Sequence, residues 1–367
     1  MKNLLDTHNT AVAVIGGGNV GTQFAAVSAS HGYEVRMLCS RPEAFSDTLE
    51  IIDEHGKVTS GSLSLVSSDI PEVVTGADVI IVTYPAFMLE KLGQQLLPFV
   101  HEGQVIIMLP GTGGAEFAFH DLIRKGVVLS GVQRVPSVAR LEEYGKRVRC
   151  EGLRSEMFLA SVPRANTALI CEFVAHLFGI RCTPLPNYLC VTLTPSNPIL
   201  HTTRLRTLFA DYKEGVVYGK NPLFYGDWSD DSSRLLLKCD EELQMICRAL
   251  DKADLTSVKS LKIHYENDTV EGLTAKMRSI ESLHNLGSPM VKVEGGFIPD
   301  FNSRYFKADF PYGLAIIKSF ADVLHLDVPN IDDTLSWYRC LTGDQTKLTL
   351  EEHGINSACD IYDFYHF

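Results

Sequence analysis

The chain has 367 residues, 45% of them hydrophobic, with a formal net charge of −12. That length suggests about two domains, each with enough apolar residues for its own core. The acidic balance supplies no general basic field, which argues against nucleic acid or an anionic membrane as a partner and leaves room only for a local basic pocket around a small anion.

Taken in chain order, Ala11–Ile15 is a short apolar run that stops at glycine. Val20–His31 then reads as a helix, with Phe24 and Val27 among small residues, and Gly32 ends it before a second strand, Glu34–Leu38. Strand, glycine turn, helix and strand make one βαβ unit. Further strands are expected at Ala77–Tyr84, Gln104–Leu109, Val127–Val132 and Met157–Val162, with helices at Phe87–Phe99 and Glu116–Lys125. Continuous apolar strands alternating with helices predict a parallel sheet covered on both faces. A last strand is expected at Leu189–Leu193. Beyond it the apolar residues recur at helical spacing in Ser232–Ala253, Thr269–Leu286, Tyr312–Leu326 and Ile331–Leu341. The fold expected is α/β: a Rossmann-type doubly wound parallel sheet domain over residues 1–193, then an all-α helical domain over 194–367.

The nine cysteines show no CxxC spacing and their count is odd. Neither a metal site nor a disulfide framework is expected, and reduced thiols in a cytoplasmic chain are. Residues 1–10 carry no apolar leader segment, and no apolar run reaches the ~18–20 residues of a membrane span.

Gly16, Gly18 and Gly21 have the spacing of a dinucleotide cradle. The first allows a tight turn, the second a close backbone approach to a pyrophosphate, and the third close packing of helix on strand. Asn19 and Val20 complete the turn, and the free N–H groups of the helix are expected to face phosphates. The second strand bears on which dinucleotide binds. Where an NAD enzyme carries Asp or Glu for the ribose hydroxyl, Cys39 stands here, 18 residues after Gly21, followed by Ser40 and Arg41. A missing carboxylate with a hydroxyl and a guanidinium beside it favours NADP(H), with NAD(H) possible. Arg41 can equally be an ordinary solvated loop residue.

Later in the chain, His201 follows Asn197-Pro198 where a helix begins. Arg304 lies five residues before Asp309 in a stretch rich in Tyr and Phe. An arginine in an aromatic pocket clamps a carboxylate well, and an interdomain salt bridge is the other reading of Arg304.

Together these stretches resemble the opine dehydrogenase family. The likeness runs through Gly16–Gly21, the turn Leu109-Pro110-Gly111-Thr112-Gly113-Gly114 and Asn197-Pro198-x-x-His201. It continues through Asn302-Ser303-Arg304-Tyr305-Phe306-x-x-Asp309 to the closing Thr349-Leu350-Glu351-Glu352-x-Gly354. The resemblance implies a catalytic pair, His201 and Asp309, and an arginine, Arg304, that holds a keto-acid carboxylate. Asn197 and Thr112 join it as substrate-binding candidates, and Pro85 joins the cofactor set because it ends a strand of the sheet. The implied reaction is NAD(P)H-dependent reductive condensation of an α-keto acid such as pyruvate with the amino group of an amino acid, and the reverse. The site is expected in the cleft between the two domains of a monomer or homodimer. Two alternatives stand beside it. A reductase like ketopantoate reductase or glycerol-3-phosphate dehydrogenase needs a catalytic lysine, for which Lys213, Lys220 and Lys238 are available. A non-catalytic NADP(H) sensor needs no acid/base at all.

Overall fold

The computed structural model describes residues 3–365, and the chain divides into two compact units between Thr192 and Leu193. In the first unit the strands are β1 (Ala11–Ile15), β2 (Glu34–Leu38), β3 (Thr48–Ile52), β4 (Val58–Ser62), β5 (Leu65–Ser67) and β6 (Val79–Val82). They continue as β7 (Val105–Met108), β8 (Val128–Val132), β9 (Val138–Glu143), β10 (Arg147–Glu151), β11 (Glu156–Val162) and β12 (Arg181–Pro184). The main sheet runs β12-β11-β8-β7-β6-β1-β2-β5. Every residue of β1, β6 and β7 is buried, which is why these strands read as unbroken apolar runs. After β1 the chain winds outward to β2 and β5, then returns to β6 on the other side of β1. The carboxyl ends of β1 and β6 therefore form the switch point where such sheets bind ligands.

One strand departs from the parallel pattern: β11 runs antiparallel to β8. No crossover helix links these two. The intervening chain forms β9 and β10 instead, so it returns in the opposite direction. Those two strands join β3 and β4 in a second, four-stranded sheet of order β4-β3-β10-β9. Its strands are short, and β4 is mostly exposed and polar, so its alternation gave no signal in the sequence.

Helix α1 (Asn19–Ser30) packs against both sheets, and every residue from Gly21 to Ser28 is buried. Its small side chains permit this close approach from two sides. Gly61 of β4 presses so near that a Cβ there would lie 2.4 Å from the Ser30 nitrogen. Gln23, buried in the same helix, donates to Ser137 Oγ at 2.7 Å.

The run Leu189–Thr192 is a short helix and not the expected strand. Asn187 Oδ1 accepts the Cys190 N–H at 3.2 Å, as an N-terminal cap does. A fully buried apolar run has no periodicity to tell strand from helix, and the cap decides it.

The second unit is helical, with long helices Asn197–Leu208, Asp230–Ala249 and Pro329–Thr342. The expected helix over 269–286 is two, Val270–Arg278 and Glu281–His284, and the one over 312–326 begins as a π-turn, Phe310–Leu314, before Ala315–Val323. The unit is not all-α: β13 (Met290–Val293) and β14 (Gly296–Pro299) form an antiparallel hairpin. Gly295 and Gly296 at its turn have φ of 83° and 151°, values that favour glycine.

Asp240, on the long helix Asp230–Ala249, is 1% exposed and accepts the Leu261 N–H at 2.8 Å. Burial raises its carboxyl to about 6. A carboxyl raised in the folded state favours folding fully only below its unfolded value, and stability falls as pH climbs to about 6. A shift of about two units corresponds to roughly 3 kcal/mol. Asp240→Asn keeps an acceptor for Leu261 and cannot ionise. It should raise the melting temperature at pH 8 and lose that gain by pH 4; an equal gain at both pH values would refute the assignment.

Candidate active site

The nucleotide end is built at the switch point. Gly16, with φ of 117°, ends β1, and a Cβ on it would lie 2.4 Å from Thr83 Oγ1. The β1 and β6 loops thus lie in contact, and the Tyr84 ring packs on the same glycine. Gly21 touches the Gly16 carbonyl so closely that a Cβ would fall 1.7 Å from its oxygen. Above Gly18 nothing lies within 4 Å of a Cβ position. Gly18 is also the N-cap of α1, with no side chain capping it and no acidic residue in the first turn. Open backbone N–H groups at the head of a 12-residue helix, beside a glycine with free space, fit a pyrophosphate.

The other cofactor candidates are placed as follows. Asn19 is exposed, and its Oδ1 accepts the Leu141 N–H of β9 at 2.8 Å, which ties the head of α1 to the second sheet. Val20 follows it in the first turn of α1. Pro85 caps a short turn after β6. Cys39 is buried beneath the glycine turn, its Cβ 3.0 Å from a Cβ placed on Gly17, while Ser40 and Arg41 are exposed. Arg41 makes no ion pair among the described residues, and its guanidinium lies 4.2 Å over the Tyr144 ring. Thr112 sits half-buried in the turn after β7.

In the second unit His201 lies one turn into the helix Asn197–Leu208, which Pro198 starts. That helix is buried from Pro198 to Leu205. It tolerates polar residues there because Thr202 and Thr203 donate back to the Pro198 and Ile199 carbonyls at 2.6 and 2.7 Å. Its first turn meets the π-turn Phe310–Leu314 at Gly313, where a Cβ would stand 3.0 Å from Pro198. This close approach brings His201 to Asp309, the residue that precedes the π-turn. His201 Nδ1 and Asp309 Oδ2 are 2.8 Å apart. An ionised carboxylate only accepts, so Nδ1 carries the proton and Nε2 is the basic nitrogen.

The imidazole is 6% exposed and walled by aromatic rings. Tyr305 lies 4.5 Å away, centroid to centroid, and Phe224 5.4 Å away and edge-on. Arg304, which begins the short helix Arg304–Lys307, is exposed. Its guanidinium is 5.5 Å from the Tyr305 ring, and it makes no ion pair among the described residues, so the salt-bridge reading gains no partner. Asn197 is half-buried at the start of the His201 helix. Burial pushes the Tyr225 hydroxyl well above the usual range; the neighbouring Tyr265, Tyr305 and Asp309 add to this and Arg304 opposes it. Tyr225 therefore stays a neutral donor beside Arg304 and Asp309.

Sequence reasoning missed one residue that shapes this wall. Arg204, three residues after His201, is 2% exposed. It donates to the carbonyls of Phe224 and Asp227 at 2.9 Å and of Leu223 at 3.2 Å. It thereby holds the loop that carries Phe224 and Tyr225. Burial draws its guanidinium down to about 10, so it stays charged near neutral pH. Only its place on the same helical face as His201 could have marked it. The lysines available to a reductase, Lys213, Lys220 and Lys238, are all exposed.

The first unit matches the ketopantoate reductase PanE/ApbA family over residues 12–154. Residues 184–342, which carry His201, Arg304 and Asp309, match the NAD/NADP octopine/nopaline dehydrogenase alpha-helical domain. Over most of its length the chain is similar to the opine dehydrogenases. Octopine dehydrogenase from Mizuhopecten yessoensis is 26% identical over 354 residues, covering 89% of this chain and 88% of that protein. Tauropine dehydrogenase from Arabella iricolor is 27% identical over 368 residues, covering 91% and 92%. A structure of octopine dehydrogenase with NADH and pyruvate shares the fold, with a TM-score of 0.80 at 24% identity over 96% of this chain and 97% of that one. These likenesses make the chain an NAD(P)-dependent oxidoreductase that acts on a CH–NH group. No helix among its described residues is long and apolar enough to cross a membrane.

Proposed function

We propose that this enzyme condenses an α-keto acid such as pyruvate with the amino group of an amino acid and reduces the product, with NADPH as the preferred reductant. The His201–Asp309 pair carries the reading. It is a buried, oriented acid/base beside Arg304, a guanidinium with no ion-pair partner among the described residues. Octopine dehydrogenase has been solved with NADH and pyruvate and with NADH and L-arginine, which supports a keto acid and an amino acid as the two substrates.

The steps follow from the side chains. Arg304 anchors the keto-acid carboxylate through paired charge-assisted hydrogen bonds. His201 Nε2 removes a proton from the substrate ammonium, and the free amine adds to the carbonyl carbon. The adding nitrogen passes one proton to the new alkoxide, the imidazolium gives its proton to the resulting hydroxyl, water leaves, and a protonated imine remains. Asp309 holds the Nδ1 proton throughout, which fixes the tautomer. A nicotinamide, when bound, would supply the hydride that takes this protonated imine to a secondary amine dicarboxylate. Gly16, Gly18, Asn19, Val20 and Gly21 would hold its pyrophosphate, with Thr83–Pro85 beside them.

A panel of amino acids against keto acids, followed by NADPH and NADH absorbance, tests the reading. Turnover should require both substrates. Rapid reduction of a keto acid with no amine present would instead favour the ketopantoate reductase-like alternative, which the match over residues 12–154 keeps open for the nucleotide unit.

The cofactor preference rests on the buried Cys39 and the exposed Arg41. NADPH should exceed NADH in kcat/KM by about tenfold or more, as one charge-assisted contact worth over about 1.4 kcal/mol requires. Arg41→Ala should weaken NADPH and leave NADH nearly unchanged. Because Arg41 is exposed, the preference should shrink at high salt. Equal efficiency with both cofactors in the wild type would sink the NADP assignment and leave the condensation untouched.

A further inference from the structure

The turn between β9 and β10 reaches across to the segment that follows β2. Tyr144-Gly145-Lys146 connects the two strands of the second sheet. Gly145, with φ of 72°, sits so tightly against this segment that a Cβ would lie 2.2 Å from the Ala44 carbonyl oxygen. Its own carbonyl accepts the Ser46 N–H at 2.8 Å. The Tyr144 ring packs edge-to-face on Phe45, 5.2 Å between centroids, and Phe45 in turn reaches within 2.9 Å of a Cβ position on Gly17. One end of the hairpin is thus locked to the glycine turn through two aromatic rings. Over the same ring lies the Arg41 guanidinium, 4.2 Å from the centroid.

A long cationic side chain in solvent loses rotamer freedom when it binds an anion, and a guanidinium already laid on an aromatic face loses less. The guanidinium lies over the ring while the residue as a whole stays exposed to solvent, and no carboxylate among the described residues pairs with Arg41. We propose that Tyr144 determines cofactor specificity as a positioning residue: its ring holds Arg41 ready for the 2′-phosphate of NADP(H). This rests on the reading of Arg41 as the phosphate partner. It adds that the preference is set from the second sheet, by a residue with no sequence proximity to the cofactor motif.

Calorimetric titration of the full chain with 2′,5′-ADP and with 5′-AMP, which lacks the 2′-phosphate, reads this without turnover. Tyr144→Ala should weaken 2′,5′-ADP by about threefold to thirtyfold, the range of a cation–π contact, and leave 5′-AMP within about twofold. Tyr144→Phe keeps the ring and should bind both as the wild type does. Tyr144→Leu keeps apolar packing against Phe45 without a π face and should lose affinity as the alanine variant does. In an Arg41→Ala background, Tyr144→Ala should add nothing. If Arg41→Ala weakens 2′,5′-ADP while both Tyr144→Ala and Tyr144→Leu leave it unchanged, the role of Tyr144 is overturned and that of Arg41 stands. Equal weakening of both probes by Tyr144→Leu makes the residue a scaffold of the hairpin and also overturns the proposal. A wild type that binds 2′,5′-ADP no more tightly than 5′-AMP overturns the Arg41 reading itself.

Discussion

Replacing His201 with alanine should reduce kcat by about two to four orders of magnitude while nucleotide binding persists, because a positioned acid/base contributes about that much. The side chain is buried, bonded to Asp309 at 2.8 Å and packed against the tilted Tyr305 ring, so its geometry is held before substrate arrives. Nothing in the glycine turn of the first unit depends on it. Binding of NADPH, followed by fluorescence, should therefore survive. Asp309→Asn should reproduce part of the loss, since an amide can donate to Nδ1 and favour the wrong tautomer. A His201→Ala enzyme that keeps more than about a third of wild-type turnover would show that another group moves the proton.

Arg304→Ala should chiefly raise the KM for the keto acid, by about 10- to 150-fold. A charge-assisted hydrogen-bond pair is worth roughly 1.5–3 kcal/mol. The effect falls on KM because the carboxylate is held equally in the ground and transition states. Arg304 is exposed and has no ion-pair partner among the described residues, so its removal should barely change the melting temperature. Arg304→Lys should recover little, since an ammonium cannot make the paired contact of a guanidinium. An unchanged keto-acid KM together with a lower melting temperature would assign Arg304 to structure.

Much of the first unit was legible because its signals are local. The runs at Ala11–Ile15 and Glu34–Leu38 are strands with the expected bounds, since alternating or continuous apolar residues and a stop at glycine are written within a few positions. The second sheet was not legible. Val58–Ser62 has one buried residue in five, and what makes it a strand is its antiparallel pairing with Thr48–Ile52, not its own pattern. Leu189–Thr192 was misread for the opposite reason, being buried on every side.

At the site, the residues by themselves offered His201, Arg304 and Asp309 as separate candidates, and the family resemblance joined them. The glycine turn, the helix that Pro198 starts and the absent carboxylate at Cys39 were all determined by the sequence, because backbone freedom, a fixed φ and a missing charge are properties of single residues. The Nδ1 bond across 108 positions, the loop gripped by Arg204 and the ring beneath Arg41 were decided only by the tertiary structure. Each is a contact between residues far apart in the chain, and its energy depends on burial and distance that no local pattern encodes.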